Sequence, residues 1–70
     1  MTIVEVYSAA TATVKNKILA GIMQKGISYS SAWNWCTGSR QPKKIIRPVV
    51  VAVINKETGG HYTETELWPE

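Results

Sequence analysis

Residues 26–42 read Gly26-Ile27-Ser28-Tyr29-Ser30-Ser31-Ala32-Trp33-Asn34-Trp35-Cys36-Thr37-Gly38-Ser39-Arg40-Gln41-Pro42, a turn, a capped short helix and a glycine-terminated exit. Gly26 takes left-handed dihedrals without a Cβ penalty, so it stops a preceding helix. Ile27 is an apolar plug for the turn. Ser28 offers its hydroxyl to an orphan backbone N–H of the next helix. At about 100° per residue, Ala32, Trp35 and Cys36 gather on one face and Tyr29, Ser30, Trp33, Asn34 and Thr37 on the other. Gly38 ends the helix, and residues 39–44 form a basic loop around Pro42.

Upstream, Val14, Ile18 and Ile22, with Leu19 and Met23, recur at spacings of four and predict a helix over residues 10–25. Asn16, Lys17 and Gln24 lie largely opposite, while Lys15 falls inside the stripe and has to snorkel. Downstream, Ile46, Val49, Val50, Val53 and Ile54 stand at i, i+3, i+4, i+7 and i+8. Valine favours a strand, but this period is helical, and Pro48 suits a first turn. Gly59 and Gly60 break that helix. Thr63 and Glu66 form a capping-box pattern before a final turn that carries Leu67 and Trp68 inward. Thr2 to Tyr7 is β-branched and aromatic and reads as a short strand or an irregular arm, with residues 61–65 as the other β-like stretch. The expected fold is mainly all-α, a small helix-turn-helix domain of three to five helices over residues 10–70, preceded by an arm or strand at residues 1–9.

Charge is distributed unevenly over the 70 residues. All eight Lys and Arg lie between Lys15 and Lys56, whereas the five Glu residues sit at positions 5, 57, 64, 66 and 70 and Asp is absent. A solvated surface normally mixes both signs, so a single-sign middle points to a polyanionic partner. Cys36 is the one cysteine and has no internal disulfide partner, which fits a reducing cytoplasm. The N-terminus lacks the basic and long apolar regions of a secretory signal, and the longest apolar run, residues 49–54, is too short to span a bilayer.

Gly26, Ser28, Ser30, Trp35, Gly38, Arg40 and Pro42 stand at the spacing of the helix-turn-helix proteins related to phage repressor and Cro, and the chain resembles that family over about 17 residues. The closing Thr63-Glu64-Thr65-Glu66-Leu67-Trp68-Pro69 is similar to the family's acidic last turn. Ile22 stands where the family carries a small residue at a helix crossing, with Ala20 considered in its place. The resemblance implies a recognition helix beginning near Tyr29 that lies in the major groove of DNA. Its base-contacting places fall on Tyr29, Ser30 and Asn34 with Ser31 beside them, and its phosphate-contacting places on Ser39, Arg40, Gln41, Lys43 and Lys44. Ser28, at the turn, joins the phosphate set.

The residues taken alone support compatible chemistry. Asn34 can pair bidentately with adenine N6 and N7, while Ser30 and Ser31 can donate to base edges or phosphates. Trp33 faces outward with Tyr29, either toward thymine methyls and sugars or against the N-terminal arm. Trp35, on the opposite face, belongs to the core. Cys36 and His61 are the only pair that brings cysteine catalysis to mind, but they lie 25 positions apart with no Asp to orient the imidazole. Further Cys or His ligands for zinc are missing, as are a glycine-rich phosphate loop and paired carboxylates in the basic middle. The expectation is a cytoplasmic, sequence-specific regulator of repressor or Cro type, as for a phage or mobile element. It has duplex DNA as partner, a homodimer as candidate assembly, and no cofactor, metal, small-molecule substrate, membrane contact or enzymatic activity. Two rivals stay open: an antitoxin-like or structural interaction module anchored by Tyr29 and Trp33, and a non-specific nucleic-acid binder driven by charge alone.

Overall fold

Thr2 and Glu5 decide the first element. The Thr2 hydroxyl accepts the Glu5 backbone N–H at 3.4 Å, and the Glu5 carboxylate accepts the Thr2 N–H at 2.9 Å. These bonds satisfy two otherwise orphan donors and hold the Glu5 carboxyl below its ordinary value. They open helix α1, Ile3–Ala9, which places Ile3 and Val6 in the core. The strand or arm expected for residues 1–9 is thus corrected to a packed helix: the β preference of Ile3, Val4 and Val6 is weak, and burial of one helical face overrides it.

The structure, a computed structural model, describes residues 1–69 and holds among them five helices and no strand. After α1 come α2 (Ala12–Met23), α3 (Tyr29–Thr37), α4 (Arg47–Thr58) and α5 (Glu64–Leu67). Glu70 lies outside the described residues. The expected all-α class holds, and α2, a short turn and α3 form a helix-turn-helix unit. Instead of one long helix behind an arm, two helices precede that turn. Extended backbone at Ala10 and Thr11 separates them, and the Thr11 hydroxyl caps α2 by accepting the Val14 N–H at 3.3 Å.

On α2 the buried arc is Ile18, Leu19 and Ile22. Met23, expected in that stripe, is 45% exposed, because it falls about 40° beyond Leu19, the edge of the arc. Lys15 lies half-buried with its Nζ 5.5 Å from the centre of the Tyr7 ring, a cation–π contact that accounts for a lysine inside the stripe. The close helix crossing falls at Gly21 and not at Ala20, which is exposed. A Cβ on Gly21 would come within 2.7 Å of Val53 Cγ1, so α2 and α4 approach as they do only because that side chain is missing.

The periodicity of the valine-rich segment is realised as α4, with Val50, Val53 and Ile54 buried and Pro48 in the first turn. Gly59, at φ 70°, ends it. Residues 61–65 form no strand. The Asn55 side chain donates to the Tyr62 carbonyl at 3.0 Å and accepts the Tyr62 N–H at 2.8 Å, which leads the chain into α5. The Thr63–Glu66 capping box is present, and Leu67 and Trp68 are buried as expected. The Trp68 indole N–H has no acceptor among the described residues, and the Arg47 guanidinium sits 5.5 Å from that ring's centre. Helix α2 packs on α3 and α4, α1 on α3 and α5, and α4 on α5, so α3 is backed by both α1 and α2.

Candidate nucleic-acid interface

Helix α3 begins at Ser28, whose hydroxyl accepts the Ser31 N–H at 3.3 Å and donates to the Ser31 hydroxyl at 3.1 Å. Both serines, expected at phosphate and base respectively, are therefore engaged with one another in the cap. Ala32, Trp35 and Cys36 are buried against the rest of the core, as the pattern implied. The opposite face is open. Tyr29 is 52% exposed, Trp33 is 44% exposed, Ser30 is exposed, and Asn34 and Thr37 are half-buried. Four of the five expected base-contacting residues (Tyr29, Ser30, Trp33, Asn34) thus share one surface, and Ser31 sits on its flank.

Two further residues, one on α3 and one on α1, were not assigned to the site from sequence. Thr37 lies on the open face, and its hydroxyl donates back to the Trp33 carbonyl at 2.8 Å. Tyr7, on α1, is half-buried against the core that α1 shares with α3. Burial first, then the charges of Cys36 and Tyr29, raise its phenol above the ordinary value. Thr37 was legible from the helical period. Tyr7 was not, because nothing in the local pattern says that α1 packs along α3.

The exit of α3 turns at Gly38, where φ is 88°. The Asn34 carbonyl accepts both the Gly38 N–H at 3.0 Å and the Arg40 N–H at 3.3 Å, so the chain is held through the bend. Ser39, Arg40, Gln41, Lys43 and Lys44 are all exposed, while the Pro42 side chain between them is fully buried. Arg47 stitches this loop from the start of α4. Its Nε donates to the Pro42 carbonyl at 3.2 Å and its Nη2 to Gln41 Oε1 at 3.1 Å. Arg47 therefore positions the loop, a role that the count of basic residues could not distinguish from phosphate binding.

Lys17, Lys25 and Lys56 line a groove of about 370 Å³ between α2 and α4, together with Gln24 and Glu57, and α3 supplies none of its lining. The cations that follow α3 directly are Arg40, Lys43 and Lys44.

Cys36 is fully buried, and burial pushes its thiol up to about 12 from the ordinary 9.0, whereas His61 is exposed. The unfolded chain loses this proton first, so the thiol's contribution to stability is whole below about pH 9. It then falls by roughly 1.4 kcal/mol per pH unit as pH rises toward 12. Urea midpoints measured from pH 8 to 11 should fall more steeply for the wild type than for Cys36→Ala. Parallel slopes would place the thiol in solvent. Among the described residues no group of three or more His, Cys, Asp or Glu could hold a metal ion, and no helix is long and apolar enough to cross a membrane. No family model matches the chain, and no curated protein or solved structure does.

Proposed function

We propose that this chain is a small sequence-selective DNA-binding protein, a transcriptional regulator in the cytoplasm that presents α3 to the major groove and the loop after Gly38 to flanking phosphates. The observation that supports this best is the division of α3. One side is consumed by the core, while the other is uncharged, compact and rich in hydrogen-bonding and aromatic groups. A major groove about 12 Å wide admits such a helix, and short side chains let its backbone approach the base edges. Arg40 and Lys43 stand just beyond the helix on a loop fixed by Pro42 and Arg47, where they can neutralise phosphates and set register. On this reading Asn34, Ser30 and Tyr29 choose the sequence, and Trp33 adds apolar contact to thymine methyls or sugars. Neither a cofactor nor a catalytic step enters it.

Selection of bound fragments from random duplex DNA at two salt concentrations tests the reading. A defined motif should emerge, and a palindrome would add a homodimer. Asn34→Ala should cost about 1–3 kcal/mol at that motif and relax one base-pair position, with little change on a scrambled duplex. Arg40→Ala and Lys43→Ala should weaken both duplexes alike, each lowering the log–log salt slope by roughly 0.9. Equal losses on matched and scrambled DNA for all variants would leave a charge-only binder. The exposure of Tyr29 and Trp33 also favours a second reading, an aromatic anchor pair for a protein partner. That reading gains if Trp33→Ala abolishes a protein complex while DNA affinity is untouched.

A further inference from the structure

Where α2 crosses α4, the missing side chain of Gly21 lets the two helices close on one another, and the groove of about 370 Å³ lies at that junction. Its floor is small and apolar: Ala20 and Gly21 from α2, Ala52 and Val53 from α4. Its rim is cationic. Lys17 and Lys25 stand on the α2 side and Lys56 on the α4 side, all three exposed, against the single carboxylate of Glu57. Among the described residues none of these three ammonium groups takes part in an ion pair or a hydrogen bond. Like charges around one groove repel each other, and the exposed methyls of Ala20 and Ala52 between them stay wet. Neither arrangement gives the isolated domain anything.

We infer that this groove is a docking site for an acidic amphipathic helix of a protein partner, whose apolar side meets the alanine and glycine floor while its carboxylates meet the lysines. Charge and span select that occupant. Lys17 and Lys25 are eight positions apart, about 12 Å at helical rise, too far for one small carboxylate and close to two turns of a helix. Carboxylates seven or eight positions apart on a docking helix match that span. The floor favours protein over nucleic acid. Small side chains let a second backbone approach closely and bury an apolar side chain, whereas a duplex presents hydrated phosphates at its outer surface. Self-pairing through this face is opposed, because it would set the three lysines of one copy against the three of another. None of the residues lining the groove is assigned to DNA in the reading above.

The probe is a fluorescein-labelled, end-capped peptide of about 15 residues, a length at which an isolated helix begins to form, with Leu and Ala on one face and Glu along both flanks. The same peptide with Gln in place of Glu is the control. Fluorescence anisotropy should show saturable binding of the acidic peptide that weakens with salt, and no binding of the Gln peptide over the same range. Lys17→Gln and Lys56→Gln should each weaken it roughly 1.5- to 5-fold, the range for an exposed ion pair. Ala20→Tyr fills the floor without altering charge and should weaken it roughly tenfold or more, since the added bulk bars close approach. All three positions are exposed, so each variant should melt like the wild type. Full binding by Ala20→Tyr would mean that charge alone attracts the peptide, and it overturns the site. Failure of the wild type to bind the acidic peptide at low salt overturns it as well. If the peptide does not bind and Ala20→Tyr instead loses duplex affinity, the groove belongs to nucleic acid. If that variant instead loses self-association, the groove belongs to a second copy of the chain.

Discussion

Trp35→Ala should unfold the domain or lower its stability by about 3–5 kcal/mol, the usual cost of emptying a core aromatic site. At roughly 0.05–0.15 kcal/mol per residue a domain this small holds only about 4–10 kcal/mol in total, so the loss is a large share of it. Trp35 is 9% exposed on the inner face of α3, near Leu67, Trp68 and Val4 around the cavity at the end of that helix. Its removal therefore loosens α1, α3 and α5 together. Trp33, two residues away, is the control: 44% exposed on the outer face, it should cost far less when truncated. Thermal melting of both variants assigns the two faces. An unchanged midpoint for Trp35→Ala, or a larger loss for Trp33→Ala, means that α3 is rotated about its axis and that the face proposed for DNA is the wrong one.

Gly38→Ala should cost about 2–5 kcal/mol, from two sources that can be separated. At φ 88° an L residue pays roughly 1–2 kcal/mol for left-handed backbone. The added Cβ would also sit 2.8 Å from Val4 Cγ2, an overpacking worth about 1–3 kcal/mol. Val4→Ala in the Gly38→Ala background should recover the second part and none of the first. Chemical denaturation of the two single variants and the double variant completes the cycle. Strict additivity would show that α1 does not lie against the exit of α3. A wild-type midpoint for Gly38→Ala would show that the exit is not left-handed, and the placement of Arg40 and Lys43 would then be lost.

Much of this fold was legible because its signals are local. Ser28, Thr63 with Glu66, and the left-handed glycines 26, 38 and 59 act on donors, acceptors and dihedrals a few residues away, so the sequence displays them directly. The same holds for the division of α3, since the angular spacing of Ala32, Trp35 and Cys36 requires no knowledge of what covers them. Thr2 and Glu5 carried an equally local capping signal. It was outweighed by the β-branched composition around it, although that composition decides little once Ile3 and Val6 find a common face to bury.

The sequence by itself thus determined the helical class, the ends of α3 to α5, the inward Trp35 and the outward Tyr29, Ser30, Trp33 and Asn34. Each follows from a period of 3.6 residues or from a cap. Only the tertiary structure decided that α1 packs along α3 with Tyr7 against their shared core, and that α2 crosses α4 over the missing side chain of Gly21. It also decided that Arg47 holds the loop, that Lys17, Lys25 and Lys56 line a groove between α2 and α4, and that Ile45 stands in solvent. Those outcomes depend on which distant surfaces meet, and hydrophobic burial, being non-directional, fixes that only when the whole core assembles.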